Sequence, residues 1–191
     1  QALGLLAGTF HFAFAGMQLF MGVGIDLHGV RRTVLTAFPL AVVGALVSAL
    51  AGDWRLLVLG QALIGVGCAP AFLVCTVLIA RHFPPHRFAA VSGLILGLGG
   101  VGMLLTGTPL AWLVQTLSWR AGFGVMAVGA ALAWGLIAWL VHEPARAASA
   151  PRETLRSAVA GFGALFRLPY TWGIVALGLV TYASFLALRG L

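Results

Sequence analysis

Long apolar runs separated by short polar stretches dominate the sequence. Cutting the chain at its charged and turn-forming residues leaves six apolar segments, at residues 2–23, 34–52, 56–80, 89–113, 121–141 and 170–188. Each is close to the roughly 17–25 residues that an α-helix needs to cross a bilayer. The pattern therefore predicts an all-α, polytopic membrane protein with six transmembrane helices.

Composition supports a membrane protein and excludes a nucleic-acid-binding one. Hydrophobic residues make up 61% of the chain and charged residues 8%, far from the roughly 45–50% and 25% of soluble domains. The net charge of +7 comes entirely from arginine, but the arginines stand singly or in pairs between apolar runs and form no continuous basic face. The expected surroundings are a lipid bilayer, and no nucleic-acid partner is expected.

The distribution of arginine predicts the orientation of the segments. The connections after the first, third and fifth segments, at residues 24–33, 81–88 and 143–169, hold eight arginines, whereas the alternate connections hold Arg55 and Arg120. Because arginine-rich loops stay on the cytoplasmic side, we expect the first set in the cytoplasm and the protein in the cytoplasmic or inner membrane. Both ends of the chain then lie outside, and we expect a chain truncated at both ends.

The first of these connections, GVGIDLHGVRR, combines an aspartate, glycines and a pair of arginines: Gly22, Asp26, Gly29, Arg31 and Arg32. A carboxylate at a membrane edge is most stable beside arginine or the positive N-terminal end of a helix, and such a contact can form in one conformation and break in another. Gly22 would allow a neighbouring helix to approach closely, and Gly29 would allow a tight turn. The alternative is a purely topogenic loop.

This loop resembles the signature of the major facilitator superfamily, which lies between the second and third helices of that family. Two positions depart from the signature, Leu27 after the aspartate and Val30 at the start of the basic pair. Residues 57–70 resemble the fourth helix of the family, with Gln61 where an arginine is common, and residues 97–123 resemble its fifth helix and the start of its sixth.

The resemblance implies an architecture. The six segments would be helices two to seven of a twelve-helix bundle, and the remaining helices of the full-length chain would be partners of this part. Residues 1–142 would form the N-terminal bundle without its first helix, residues 143–169 a cytoplasmic linker with an amphipathic helix, and residues 170–191 the first helix of the C-terminal bundle. Apolar residues at helical spacing between 155 and 166 predict that the linker helix lies on the inner membrane surface.

Polar residues within the apolar segments are the candidates for a substrate or proton pathway, because such groups usually face a bundle interior or a cavity. They are His11, Gln18, Gln61, Tyr182 and Arg189. Each has an alternative explanation, such as a local hydrogen bond for the histidine or snorkelling to the interface for Arg189.

A solute transporter is the function that the resemblance implies. The expected mechanism is secondary active transport of a small-molecule substrate by alternating access, with protons as the coupling ion and His11 as the titratable group within the spans. A uniporter or exchanger and a transporter-like receptor remain alternatives. An enzyme is not expected, nor is a cofactor or metal, since Cys68 and Cys75 lie about 10 Å apart along a helix without further ligands nearby.

Overall fold

The computed structural model describes residues 2–141 and 167–190, and the regular elements in these ranges are all α-helices. They are α1 (Ala2–His28), α2 (Val30–Leu50), α3 (Trp54–His82), α4 (Pro85–Thr116), α5 (Trp119–Leu140) and α6 (Pro169–Gly190). The chain divides into two compact units, Gln1–Ala148 with α1 to α5 and Ser149–Leu191 with α6. Most of the predicted linker, including its amphipathic helix, lies outside the described residues.

The lengths and compositions of the helices confirm an all-α, polytopic membrane fold. Among the described residues, α2, α3, α4 and α5 are each long and apolar enough to cross a membrane. The first helix is bent by 40° between Gly4–Gln18 and Phe20–His28. It is also long and apolar enough to cross a membrane when these two parts are taken as one span. In α6 the continuous apolar part whose side chains are described is Pro169–Thr181, within a helix that continues to Gly190.

The connections predicted at residues 24–33 and 81–88 are shorter in the structure than the sequence analysis expected. The first helix continues through Asp26 to His28, and α2 begins at Val30, so Gly29 alone separates them. Between α3 and α4 only Phe83 and Pro84 are non-helical. Charged side chains at a membrane edge do not interrupt the backbone hydrogen bonds of a helix, and a division of the sequence at its charges therefore ends the helices too early.

Local chemistry explains where α3 and α5 begin. The Asp53 carboxylate accepts a hydrogen bond of 2.9 Å from the Leu56 amide. The Ser118 hydroxyl oxygen accepts one of 3.2 Å from the Ala121 amide. Each side chain thereby satisfies one of the amide groups that the first turn of a helix leaves without a partner.

Close backbone contacts place α3 between α1 and α2. A Cβ atom on Gly44 of α2 would lie 2.6 Å from the Gly60 carbonyl oxygen of α3. On the other side, a Cβ atom on Gly65 of α3 would lie 2.6 Å from the Phe10 carbonyl oxygen of α1. Small residues thus allow the backbones to touch, as is common in membrane helix pairs. The remaining large interface joins α2 to α5, whereas α4 buries none of its described residues.

Candidate functional site

The turn between α1 and α2 is made at Gly29, the glycine that was predicted to allow it. Gly29 has a φ of 87°, a left-handed conformation that glycine adopts without the steric cost of a side chain. Asp26 is exposed in the last turn of α1, three residues before this turn. Gly22 makes a looser contact, since a Cβ atom there would lie 3.6 Å from the Leu73 Cδ2 atom. The close approach expected at Gly22 is therefore made at other glycines.

The two arginines that follow the turn have different surroundings. Arg31 is half-buried, and its Nε donates a hydrogen bond of 2.7 Å to the Val141 carbonyl oxygen, while its Nη2 donates one of 3.0 Å to Ala138. These are carbonyl groups at the C-terminal end of α5, which lack partners within their own helix and carry partial negative charge. Arg32 is exposed. Arg31 therefore connects the start of α2 to the end of α5.

A matching contact occurs at the opposite end of the same helix pair. Arg120, in the first turn of α5, donates a hydrogen bond of 2.9 Å from Nη2 to the carbonyl oxygen of Ala51, which directly follows α2. Its guanidinium carbon also lies 4.3 Å from the centroid of the Trp119 ring. Since each helix begins where the other ends, α2 and α5 are antiparallel, and each supplies an arginine to the other. We call Arg31 and Arg120 the arginine clamps.

Between the clamps, the indole Nε1 of Trp134 donates a hydrogen bond of 3.3 Å to the Leu35 carbonyl oxygen. Sequence reasoning missed these α2–α5 contacts. A signal for them was present, because Arg31 and Arg120 are each the second residue of their own helix, near its positive end, where a cation is unfavourable. An arginine in that position is more stable when it faces the C-terminal end of a neighbouring helix.

The structure places three of the predicted pathway residues on the helix pair α1 and α3. His11 and Gln18 of α1 and Gln61 of α3 are all half-buried. The His11 Nδ1 lies 2.7 Å from the Ala7 carbonyl oxygen, and its ring makes an edge contact with Phe10 at a centroid distance of 5.1 Å. Because a carbonyl oxygen can only accept, this contact puts a proton on Nδ1.

The contact between α1 and α3 places His11 and Gln61 at similar positions along the helix axes. Gly65 packs on the backbone of Phe10 and Phe14, the turn of α1 that contains His11. Gln61 lies one turn before Gly65 and therefore on the same face of α3. Tyr182 and Arg189 belong to α6, and their side chains lie outside the described residues.

Packed apolar spans with a few half-buried polar side chains define a polytopic helical membrane protein. Residues 1–190 match the family model described as Major Facilitator Superfamily. The chain belongs to this family, which confirms the resemblance inferred from its sequence motifs. A family of transporters also agrees with the expectation that the protein is not an enzyme.

Several curated relatives are similar to most of this chain. An MFS-type transporter, phomT, of Diaporthe leptostromiformis is 24% identical over 84% of this chain and 27% of its own length. A hexuronate transporter of Bacillus subtilis is 27% identical over 83% of this chain and 36% of its own. A D-galactonate transporter of Escherichia coli is 27% identical over 75% of this chain and 33% of its own. The chain thus spans about a third of the length of these relatives.

Proposed function

We propose that this protein is part of a secondary active transporter that moves a small polar solute across the cytoplasmic membrane by alternating access, with protons as the coupling ion. The observation that carries the proposal is the family match over residues 1–190. The names of the similar proteins, which include transporters of hexuronate and of D-galactonate, support a hydroxyl-rich small molecule as the solute.

The pair α1 and α3 supplies the proposed pathway in this part of the protein. Gln18 and Gln61 each offer an amide that donates and accepts hydrogen bonds, which suits a hydroxyl-bearing solute. Half-burial within apolar helices makes such groups costly unless they have polar partners, and a solute or water in a cavity would provide them. Tyr182 and Arg189 of α6 remain proposed pathway residues on the basis of the sequence.

His11 is the proposed proton carrier. It is a histidine inside a predicted span, and an imidazole can both take up and release a proton. The carboxylate residues of the sequence are Asp26, Asp53, Glu143 and Glu153, and none of them lies in the central part of a predicted span. Proton uptake at His11 would change the charge of the α1–α3 pair and thereby couple proton movement to solute binding.

The residues at the turn between α1 and α2 have a proposed conformational role. Asp26 and Arg32, with Gly22 and Gly29, would hold the inner ends of the helices in one arrangement and release them in another, while Arg31 would anchor the turn to α5. The geometry of Gly29 and the bonds of Arg31 to α5 support a defined turn. By the arginine distribution, this turn faces the cytoplasm.

Transport by the full-length protein tests the proposal. The protein is placed in liposomes that contain a pH-sensitive dye, and sugar acids, sugars and nucleosides are added outside. We expect a solute-dependent pH change that His11→Gln abolishes and that Asp26→Asn slows. His28→Gln is the matched control, because His28 is exposed at the end of the same helix and should leave the signal unchanged.

The other outcomes separate the alternatives. Solute uptake without a pH change would indicate a uniporter or an exchanger and would refute proton coupling. A pH change retained in His11→Gln would remove His11 from the coupling mechanism. Solute binding without movement in either direction would indicate a receptor and would refute the transporter proposal.

A further inference from the structure

The connection between α3 and α4 groups basic side chains, two of them arginines, at one end of the bundle. Four basic side chains, Arg81, His82, His86 and Arg87, are all exposed there. The sequence contains no acidic residue between Asp53 and Glu143, so α3, α4 and α5 bring no carboxylate to this connection. Among the described residues, α1 carries the carboxylate of Asp26 at the same end of the bundle.

An apolar hollow adjoins these basic side chains. It has a volume of about 350 Å³ and is lined by Ala80, Phe83, Pro85 and Phe88. Phe83 is 42% exposed, although it is a large apolar side chain. We call residues 80–88 the basic hairpin. It presents an aromatic, apolar surface directly beside positive charge, and this combination suits an amphiphilic anion better than a fully hydrated one.

The length of α3 places the basic hairpin at the depth of lipid headgroups. The helix has 29 residues, which gives about 43 Å at about 1.5 Å per residue. A bilayer is about 30 Å thick in its hydrocarbon core and about 40–45 Å with its headgroups. When Trp54 at the start of α3 lies at one interface, Arg81 and His82 at its end lie among the headgroups of the other.

We propose that the basic hairpin binds the headgroup of an anionic phospholipid. The lipid phosphate is held by the basic side chains, with Arg87 and His86 at the start of α4 as its main partners. The glycerol and the first acyl carbons occupy the hollow against Phe83 and Phe88. This inference depends on the membrane-spanning fold and on the charges of the hairpin, and it does not require the proposed transport activity.

A purely topogenic role is the competing explanation. Arginines that only hold the hairpin on the cytoplasmic side need no bound lipid and would show no preference among lipids beyond general charge attraction. The two explanations differ in whether the preference depends on particular residues and on the apolar hollow. Binding measurements on variants can therefore separate them.

The experiment measures how tightly the full-length protein in detergent retains phosphatidylglycerol and phosphatidylcholine, by native mass spectrometry. We expect the wild-type protein to prefer phosphatidylglycerol. Arg87→Gln should lower the affinity for phosphatidylglycerol about fivefold, which is the effect of about one charge near an anionic surface. His86→Gln should cause a smaller loss at neutral pH. Arg55→Gln is the matched control, because Arg55 is exposed in the first turn of α3, at the opposite end of the helix.

Phe83→Ser tests the apolar part of the site. This variant should weaken phosphatidylglycerol binding without any change in charge. If inorganic phosphate at millimolar concentration displaces the lipid and Phe83→Ser has no effect, the site takes a free anion and the lipid proposal is wrong. Equal losses in Arg55→Gln and Arg87→Gln would also refute it, because general electrostatics would then be sufficient.

A measurement on the wild-type protein covers the case in which a variant fails to fold. Phosphatidylglycerol with a photoreactive headgroup is incorporated into phosphatidylcholine nanodiscs, and the cross-linked peptides are identified by mass spectrometry. We expect adducts within residues 80–88 that exceed those formed with photoreactive phosphatidylcholine. Adducts spread equally over the ends of the helices, or equal for both lipids, would overturn the proposal.

Discussion

The arginine clamps lead to a sharp prediction about stability. Arg31→Met keeps a long apolar side chain in place but removes the two hydrogen bonds to Val141 and Ala138. Arg120→Met removes the one bond to Ala51. Both substitutions leave carbonyl groups at a helix end without their cationic partner.

The expected magnitude follows from the number and setting of these bonds. A hydrogen bond to a charged group contributes about 1.5–3 kcal/mol in soluble proteins, whereas interhelical bonds in membranes average about 0.6 and reach about 1.7 kcal/mol. Carbonyl groups at helix ends can also recover water, which favours the lower range. We therefore expect about 2 kcal/mol for Arg31→Met and about 1 kcal/mol for Arg120→Met.

Heat inactivation of the full-length protein in detergent is the assay, because such unfolding is often irreversible and the half-life at a fixed temperature is then the defined quantity. Since about 1.4 kcal/mol corresponds to a tenfold change in rate, Arg31→Met should shorten the half-life by up to about thirtyfold and Arg120→Met by up to about fivefold.

Two exposed arginines serve as matched controls for the clamps. Arg32 lies beside Arg31 and Arg55 lies near the end of the bundle that carries Arg120, so their methionine variants remove the same charge at each end. The clamps stand at opposite ends of α2, about 30 Å apart at about 1.5 Å per residue, and their effects should add in the double variant. An Arg31→Met half-life equal to that of Arg32→Met would refute the capping interpretation.

Three further predictions concern the turn and the helix contacts. Gly29→Ala should destabilise the protein by about 1 kcal/mol because of its φ of 87°, while Gly52→Ala should not; heat inactivation compares them. Ser48→Ala should be neutral or stabilising in the same assay, because the Ser48 hydroxyl is fully buried without a hydrogen-bond partner in the described part of the chain, and a marked loss would contradict this. Gly65→Val should reduce the yield of folded protein in size-exclusion chromatography, whereas Gly124→Val, where a Cβ meets nothing within 4 Å, should not.

The sequence predicted the class of fold because the bilayer imposes a simple length requirement on apolar segments. The family motifs were equally readable, since they depend on spacing along one chain. The ends of the helices were less predictable. Asp26 and Arg31 suggested a loop, yet both lie within helices, because a charged side chain can extend from a helix into water or headgroups without breaking its hydrogen bonds.

Contacts between distant segments were beyond single-sequence reasoning. The bonds from Arg31 to α5 join residues 107 and 110 positions apart, and no local pattern specifies which helix end an arginine meets. The glycine contacts show the same limit. Gly22 was expected to make a close approach, but Gly44, Gly60 and Gly65 make it, and many glycines in α4 have open space around them. Which glycine faces a neighbour depends on how each helix is oriented about its own axis. A helix that is apolar on all sides gives little information about this orientation.

The contacts of α2 and α3 bear on the proposed alternating access, because they join four helices of this part of the protein to one another. A rocking mechanism requires that each half resists internal sliding, since motion within a half would dissipate the change at the binding site. Two arginine clamps, one at each end, hold α2 to α5 against sliding along their common axis. Glycine contacts hold α3 to α2 and to α1, where His11 and Gln61 lie. The proposed pathway residues are thus attached to the clamped pair through backbone contacts, so that loosening a clamp should disturb solute coupling even though no clamp residue lies in the pathway.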